Sequence, residues 1–221
     1  PGFPRSMSKP SPQSLVLGVL GGIASGKSAV ARLLAGADGV VIDADRLARE
    51  VLDSAPVRAQ VAQALGADLL QPDGALDRAR LARRVFDDPA ARRKLESLTH
   101  PRVRARVRGL LDEARARGVP RIVLDVPLLL ENDGQHGLVA ECDALVFVDA
   151  DVRAREARAQ ASRGWAPGEV ARREAAQMPL ETKRERADHV LRNAGGLAEL
   201  ERDVARLLAH ILAARAPDRT P

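Results

Sequence analysis

The chain has 221 residues, 45% of them hydrophobic and 29% charged, which is enough to bury a substantial core and far from a disordered composition. No apolar run reaches the roughly 18–20 residues of a membrane helix, so a bilayer-spanning protein is not expected. A single cysteine, Cys142, excludes an internal disulfide and a cysteine zinc cage, and it points to a reducing, cytoplasmic setting.

Basic residues outnumber acidic ones by 35 to 30, and all but Lys9, Lys27, Lys94 and Lys183 are arginines. Arginine suits planar contact with phosphates, which raises nucleic acid as a partner. Aromatics at 2%, with no Tyr, leave few base-stacking platforms, and the positive charges are interleaved with negative ones. No nucleic-acid role is therefore expected, and most arginines read as solvated helix faces.

Residues 1–14 are rich in Pro and Ser and predict a flexible extension or expression remnant, with Met7 a candidate true start. Leu15–Leu20 is an apolar run of strand length, followed by a glycine-rich turn and a helix over Ala29–Ala35. Val40–Ile42 predicts a second strand, closed by Asp43-Ala44-Asp45. Helical patterns continue to about residue 117, punctuated at Pro56, Pro72-Asp73-Gly74 and Pro89. One of these helices is expected to begin at Thr99, as cap, with Pro101 in its first turn and an apolar stripe on Val103, Val107, Leu110, Leu111 and Ala114. Further strands are predicted at Arg121–Asp125, Ala144–Asp149 and His189–Arg192. An arginine-rich helix lies before Gly164, and an amphipathic helix runs from Leu197 through Ile211. Alternating strands and helices predict an α/β fold with a mostly parallel sheet covered on both faces.

The strongest motif is Gly21-Gly22-Ile23-Ala24-Ser25-Gly26-Lys27-Ser28, a match to G-x-x-x-x-G-K-[ST] between a strand and a helix. Gly21 and Gly26 permit backbone torsions that turn successive N–H groups inward, and the next helix adds its positive end. Lys27 can reach the outer phosphates of a nucleotide and Ser28 can ligate Mg²⁺.

Other residues choose among the reactions this loop serves. Asp43 and Asp45 follow the second strand; one is expected to cap the next helix, the other to engage an attacking hydroxyl. Asp125 ends four apolar residues, a Walker-B-like arrangement suited to the Mg²⁺ shell. Pro127, Leu128 and Glu131 belong to a segment that reads either as a core-packed connection or as the wall of an acceptor site. His100 reads as a surface or capping residue, or else as a donor to substrate. Arg158 and Arg163 suit a lid over a triphosphate, while Arg153 and Arg155 read as solvated. No N-K-x-D segment follows, which argues against a guanine-nucleotide switch; another kinase of a nucleotide or small alcohol is the remaining alternative.

Taken in order, GGIASGKS at 21–28, VIDADRLARE at 41–50, THP at 99–101, DVPLLLE at 125–131, VFVD at 146–149, AAQMPLETKRERAD at 175–188 and NAG at 193–195 resemble the dephospho-coenzyme A kinases. The resemblance implies a P-loop NTPase fold, a nucleoside-monophosphate-kinase-like three-layer sandwich with a five-stranded parallel sheet. It places the domain at 15–214, with a helical acceptor-binding insertion at 45–117, a lid at 151–187 and a tail at 215–221. The implied reaction transfers phosphate from ATP, with Mg²⁺, to the ribose 3′-hydroxyl of dephospho-coenzyme A. Carried over residue by residue, Gly22 through Ala29 would hold ATP together with Arg158 and Asn193, the latter near the adenine. Ser28 and Asp125 would hold the metal, and Asp45, Lys27 and Arg158 would carry the chemistry. Asp45, His100, Pro127, Leu128 and Glu131 would meet the acceptor. A monomer or weak homo-oligomer is implied. Ala24 stands where the family usually has Gly, so its backbone is expected at φ below zero. Ala29 stands where Thr is common, and the lid spacing around Ala161–Trp165 is shifted by a residue.

Overall fold

The structure is a computed structural model that describes residues 14–215. The expected extension and tail therefore lie, but for Ser14 and Arg215, outside the described residues. Two compact units divide the chain: one runs to Ile42 and resumes at Glu113, and the other is Asp43–Asp112.

The first unit is built on five strands: β1 Leu15–Gly21, β2 Val40–Asp43, β3 Arg121–Asp125, β4 Ala144–Asp149 and β5 His189–Arg192. They form one parallel sheet in the order β2-β3-β1-β4-β5. Leu17 pairs with Val123 on one side of β1, and Val19 with Val146 on the other. Every residue of β1 is buried, as an uninterrupted apolar run without alternation requires of a central strand covered on both faces. The chain leaves β1 toward β3 and β2 and later returns to its other side at β4. The carboxyl end of β1 is therefore a topological switch point, where open α/β sheets place their ligands.

The helix α1 (Lys27–Ala35) follows the glycine loop and buries Val30, Ala31 and Leu34 beneath the sheet core of Leu17, Val19, Val123, Val146 and Val148. In the second unit α2 (Ala44–Asp53), α3 (Ala55–Leu65), α4 (Arg78–Asp87) and the start of α5 (Pro89–Ala116) enclose a separate core of Val57, Val61, Leu69, Leu76 and Leu81. Pro56 lies in the first turn of α3 and Pro89 opens α5, positions where the missing N–H costs no intrahelical bond. Back in the first unit come α6 (Asp133–His136), α7 (Val152–Arg163), α8 (Glu169–Glu174), α9 (Leu180–Glu185) and α10 (Leu197–Arg215). The stripe Leu200, Val204 and Ile211 of α10 closes the core beside α1. Among the described residues no helix is long and apolar enough to cross a membrane.

The expected helix start at Thr99 is not there. α5 is continuous over 28 residues with Pro101 inside it, and Thr99 Oγ1 donates back to Leu95 O at 2.9 Å instead of capping. Arg102 Nη1 likewise bonds Leu98 O at 2.5 Å. A proline inside a helix costs about 3 kcal/mol. Apolar residues on both sides of it offset that: Leu95 and Leu98 pack on the second unit's core, and Val107, Leu111 and Ala114 are buried further along.

Candidate active site

The turn after β1 has the form of an anion cradle. Gly21 and Gly26 take φ of +144° and +93°, and Gly26 is an uncapped N-terminal neighbour of α1, with no acidic residue in that helix's first turn. Free N–H groups at the start of a helix carry partial positive charge and suit phosphate oxygens. Ala24 departs from expectation: its φ is +58°, in the left-handed region. The loop's curvature demands that torsion whichever residue stands there, and alanine, with only a methyl at Cβ, accepts it at roughly 1–2 kcal/mol. Gly22 answers to a different constraint. A Cβ there would lie 2.6 Å from both Arg155 Nη1 and Glu174 Oε1.

Lys27 folds its ammonium onto its own loop, 2.7 Å from Gly22 O and 3.2 Å from Gly21 O. Lys27 is half-buried. Burial pushes its pKa from 10.5 down to about 8; the Asp125 carboxylate resists, Lys183 adds to the fall, Glu174 resists and Arg163 adds to it. Asp125 is only 8% exposed at the end of β3, so its charge acts on Lys27 through little water. Ser28 is exposed on the first turn of α1.

Arg158 and Asn193 hold the loop from below. Asn193 Nδ2 donates to Ser25 O at 2.8 Å, Arg158 Nη1 reaches the same carbonyl at 3.4 Å, and Arg158 Nη2 bonds Asn193 O at 3.2 Å. Arg155, read from sequence as solvated, is 6% exposed and forms a buried pair with Glu174 at 2.6 Å; Arg153 is exposed as expected. The difference is one of helix face. Residue 155 lies on the side of α7 that also buries Ala159, four residues on. Arg163 and Arg173 lie over the ring of Trp165 at 4.8 and 4.2 Å, a cation–π stack on the segment between α7 and α8.

The 125–131 segment packs partly into the core. Leu129 and Leu130 are buried in the core, whereas Pro127 is exposed and Leu128 is held at φ +55°. Strained backbone of this kind persists where the surroundings over-determine it, commonly at ligand sites. Glu131 ends the segment in an ion pair with Lys183 Nζ at 2.7 Å and also accepts the Met178 N–H at 3.3 Å. Lys183, in turn, is 4% exposed and donates to Gln177 Oε1 at 3.3 Å.

In the second unit Asp43 caps α2, accepting the Arg46 N–H at 2.8 Å. That leaves Asp45, exposed in the first turn of the helix, as the other aspartate of the pair. His100 is exposed in mid-α5, neither cap nor helix start.

A family model for dephospho-CoA kinase matches residues 15–199. The dephospho-CoA kinase of Anaeromyxobacter dehalogenans is 43% identical over 201 residues, covering 90% of this chain and 93% of its own. That of Corynebacterium glutamicum is 39% identical over 199 residues, covering 90% and 98%. The chain belongs to the dephospho-CoA kinase family. Among solved structures, TT1252 from Thermus thermophilus superposes with a TM-score of 0.71 at 36% identity, covering 92% of this chain and 98% of that one. The dephospho-CoA kinase of Campylobacter jejuni, at 21% identity and a TM-score of 0.67, shares the fold over 90% of this chain and 98% of its own.

In this family member, sequence reasoning assigned no role to Glu174 or Lys183 and took Arg155 for a surface residue. Lys183 carried a faint signal, as one of four lysines in a chain that otherwise uses arginine for positive charge. Glu174 carried none, since its partner Ile23 lies 151 positions away.

Proposed function

We propose that the chain transfers the terminal phosphoryl group of ATP to the ribose 3′-hydroxyl of dephospho-coenzyme A, giving coenzyme A and ADP. Family membership supports the reaction. The observation that carries it in this structure is the glycine loop, with Gly21, Ala24 and Gly26 at positive φ and a half-buried Lys27 beside Asp125 at the carboxyl edge of the sheet. Gly22 through Ala29 cradle the phosphates, Lys27 turns from its loop carbonyls to the outer phosphates, and Arg158 and Asn193 keep the loop in shape. The hydroxyl oxygen forms the new bond to phosphorus as the bond to the bridging oxygen of ADP breaks. Asp45 engages the hydroxyl proton, and Asp43 is already committed to the helix cap. His100, Pro127, Leu128 and Glu131 are assigned to the acceptor on their family motifs. The second unit contains a cavity of about 320 Å³ lined by Leu47, Glu50, Val51, Val57, Arg102 and Arg106, whose apolar wall and two arginines, set against one carboxylate, suit part of a long acceptor bearing phosphates.

Magnesium fits the donors present. Ser28 and Asp125 offer a hydroxyl and a carboxylate, both hard oxygens, and Mg²⁺ in kinases takes one or two protein oxygens with the rest from phosphates and water. When bound, it would neutralise charge building on the transferred group. A cytoplasmic setting is supported by the single cysteine, which offers no internal disulfide.

An ADP-release assay offering dephospho-coenzyme A, adenosine, AMP and shikimate tests the reading. Dephospho-coenzyme A should exceed AMP by at least about a hundredfold in kcat/KM; equal rates would refute it. The variant Asp45→Asn should lose about 10²–10⁴-fold in turnover with ATP affinity unchanged. Near-normal turnover would remove Asp45 from the reaction while leaving the family reading intact.

Lys27 adds a pH signature. Its ammonium is half deprotonated near pH 8 in the free protein, and adjacent phosphate charge restores its proton. ATP binding at about pH 8.5 should therefore take up a fraction of a proton, and affinity should decline as pH rises above about 8. Titration calorimetry in buffers of different ionisation enthalpy measures the uptake. A proton count of zero there would show that Lys27 does not meet the phosphates.

A further inference from the structure

Glu174 ends α8 with its carboxylate on the phosphate loop. Its Oε1 accepts the Ile23 N–H at 2.6 Å and Arg155 Nη1 at 2.6 Å. The Ile23 amide is one of the loop donors that a nucleotide needs. A carboxylate oxygen is an anionic, acceptor-only group, the same hydrogen-bonding chemistry as a phosphate oxygen. The pair lies directly over the loop, since any side chain at Gly22 would strike both of its members.

A purely structural ion pair needs only Arg155, which also donates from Nε to Ala150 O at 3.1 Å. The bond from Ile23 is an addition that ties the far segment to the loop. The free loop thus holds an anion of its own while Lys27 rests on carbonyls. α8 is entered through Gly164 and Gly168, at φ of +65° and +82°, and nothing lies within 4 Å of where either would carry a Cβ.

We propose that Arg155 and Glu174 form a displaceable latch on the phosphate loop. Glu174 holds the Ile23 amide as a phosphate surrogate until a triphosphate takes that amide from it, and Arg155 then passes from the carboxylate to the phosphate. For Arg155 and the Ile23 amide the exchange replaces charge-assisted bonds with bonds of the same kind, and the displaced Glu174 carboxylate has to move out to water. Its cost is competition: only molecules with the latch open bind, and apparent affinity falls by that fraction.

Titration calorimetry with Mg²⁺-ATP, inorganic tripolyphosphate and adenosine tests this on the full chain. Glu174→Gln removes the charge, and Glu174→Asp keeps it but draws it short of Ile23. Both should tighten ATP and tripolyphosphate about five- to tenfold and leave adenosine unchanged. Arg155→Met/Glu174→Met keeps the site packed but supplies no guanidinium, and it should bind ATP at least about tenfold more weakly than Glu174→Gln. Unchanged or weaker triphosphate binding in the two Glu174 single variants, or an equal gain for adenosine, overturns the latch. The inference rests on ATP being the loop's ligand. Wild-type protein that binds neither ATP nor tripolyphosphate overturns both readings, whereas wild-type binding with no gain in the variants overturns the latch alone.

Discussion

Replacing Lys27 by methionine should abolish most turnover, by about a thousandfold, and at the same time stabilise the ligand-free protein. The first effect follows from removing the cation proposed to turn to the outer phosphates. The second follows from enclosure. A lysine whose pKa falls from 10.5 to about 8 on folding opposes folding by about 3 kcal/mol wherever it is protonated in both states. Loss of its bonds to Gly21 O and Gly22 O offsets part of the gain, at roughly 1 kcal/mol each. A net gain of about 1–2 kcal/mol, or a rise of about 2–8 °C in melting temperature, is expected near pH 7. The sign of the pH dependence is distinctive. Between about pH 8 and 10.5 the unfolded chain binds more protons at this group than the native one, so wild-type stability gains from Lys27 as pH rises through that window. The methionine variant lacks that contribution, so its advantage vanishes between about pH 8.5 and 9.5 and wild type is the more stable by about pH 10.5. Chemical denaturation at pH 7 and pH 10 measures both; a variant less stable than wild type at pH 7 would show that Lys27 is not under strain.

Breaking the Glu131–Lys183 pair should cost far more stability than breaking a solvent-exposed pair such as Arg46–Glu50. Lys183→Met leaves the Glu131 carboxylate with 17% side-chain exposure and no ammonium, and Glu131→Gln strands the Lys183 ammonium at 5%. Each is expected to destabilise by about 3–5 kcal/mol, because an uncompensated buried charge loses its partner while keeping its desolvation penalty. The double variant Glu131→Leu/Lys183→Met should recover at least half, since neither charge is then stranded. Urea unfolding of the four proteins forms the cycle. Single-variant losses under about 0.5 kcal/mol would mean that water reaches the pair freely. The pair joins the loop after β3 to α9, which packs against β1, so a second consequence follows. The singles should also weaken acceptor binding if Glu131 and Leu128 hold that loop in its strained form.

β1 to β4 were readable because each is a short apolar run ended by Gly or Asp, whereas β5, His-Val-Leu-Arg before Asn193, has only two apolar residues. The phosphate loop was readable for a related reason: its glycines, Lys27 and Ser28 act within eight residues, and local spacing carries their geometry. The Asp43 cap is equally local, one side chain reaching an amide three positions on. Thr99 and Pro101 misled because capping residues and an N1 proline look alike whether a helix starts there or runs through. Packing of Leu95 and Leu98, before the proline, on the second unit's core decided the matter. Ala24 misled because its torsion is set by the closure of the loop around it, not by its own preference.

What the amino-acid order determined by itself is whatever depends on near neighbours: which segments are strands, where the glycine-rich loop sits, that one aspartate of the pair caps, and the motif order that marks the family. What only the tertiary structure decided is which charges lose water and which partners they find. Arg155, Glu174 and Lys183 look like ordinary surface residues of a charged chain until the sheet brings Ile23, Gly22 and Glu131 beside them. A charge acts strongly only where solvent is excluded, and exclusion is made by residues distant in sequence, so no local pattern could have announced it.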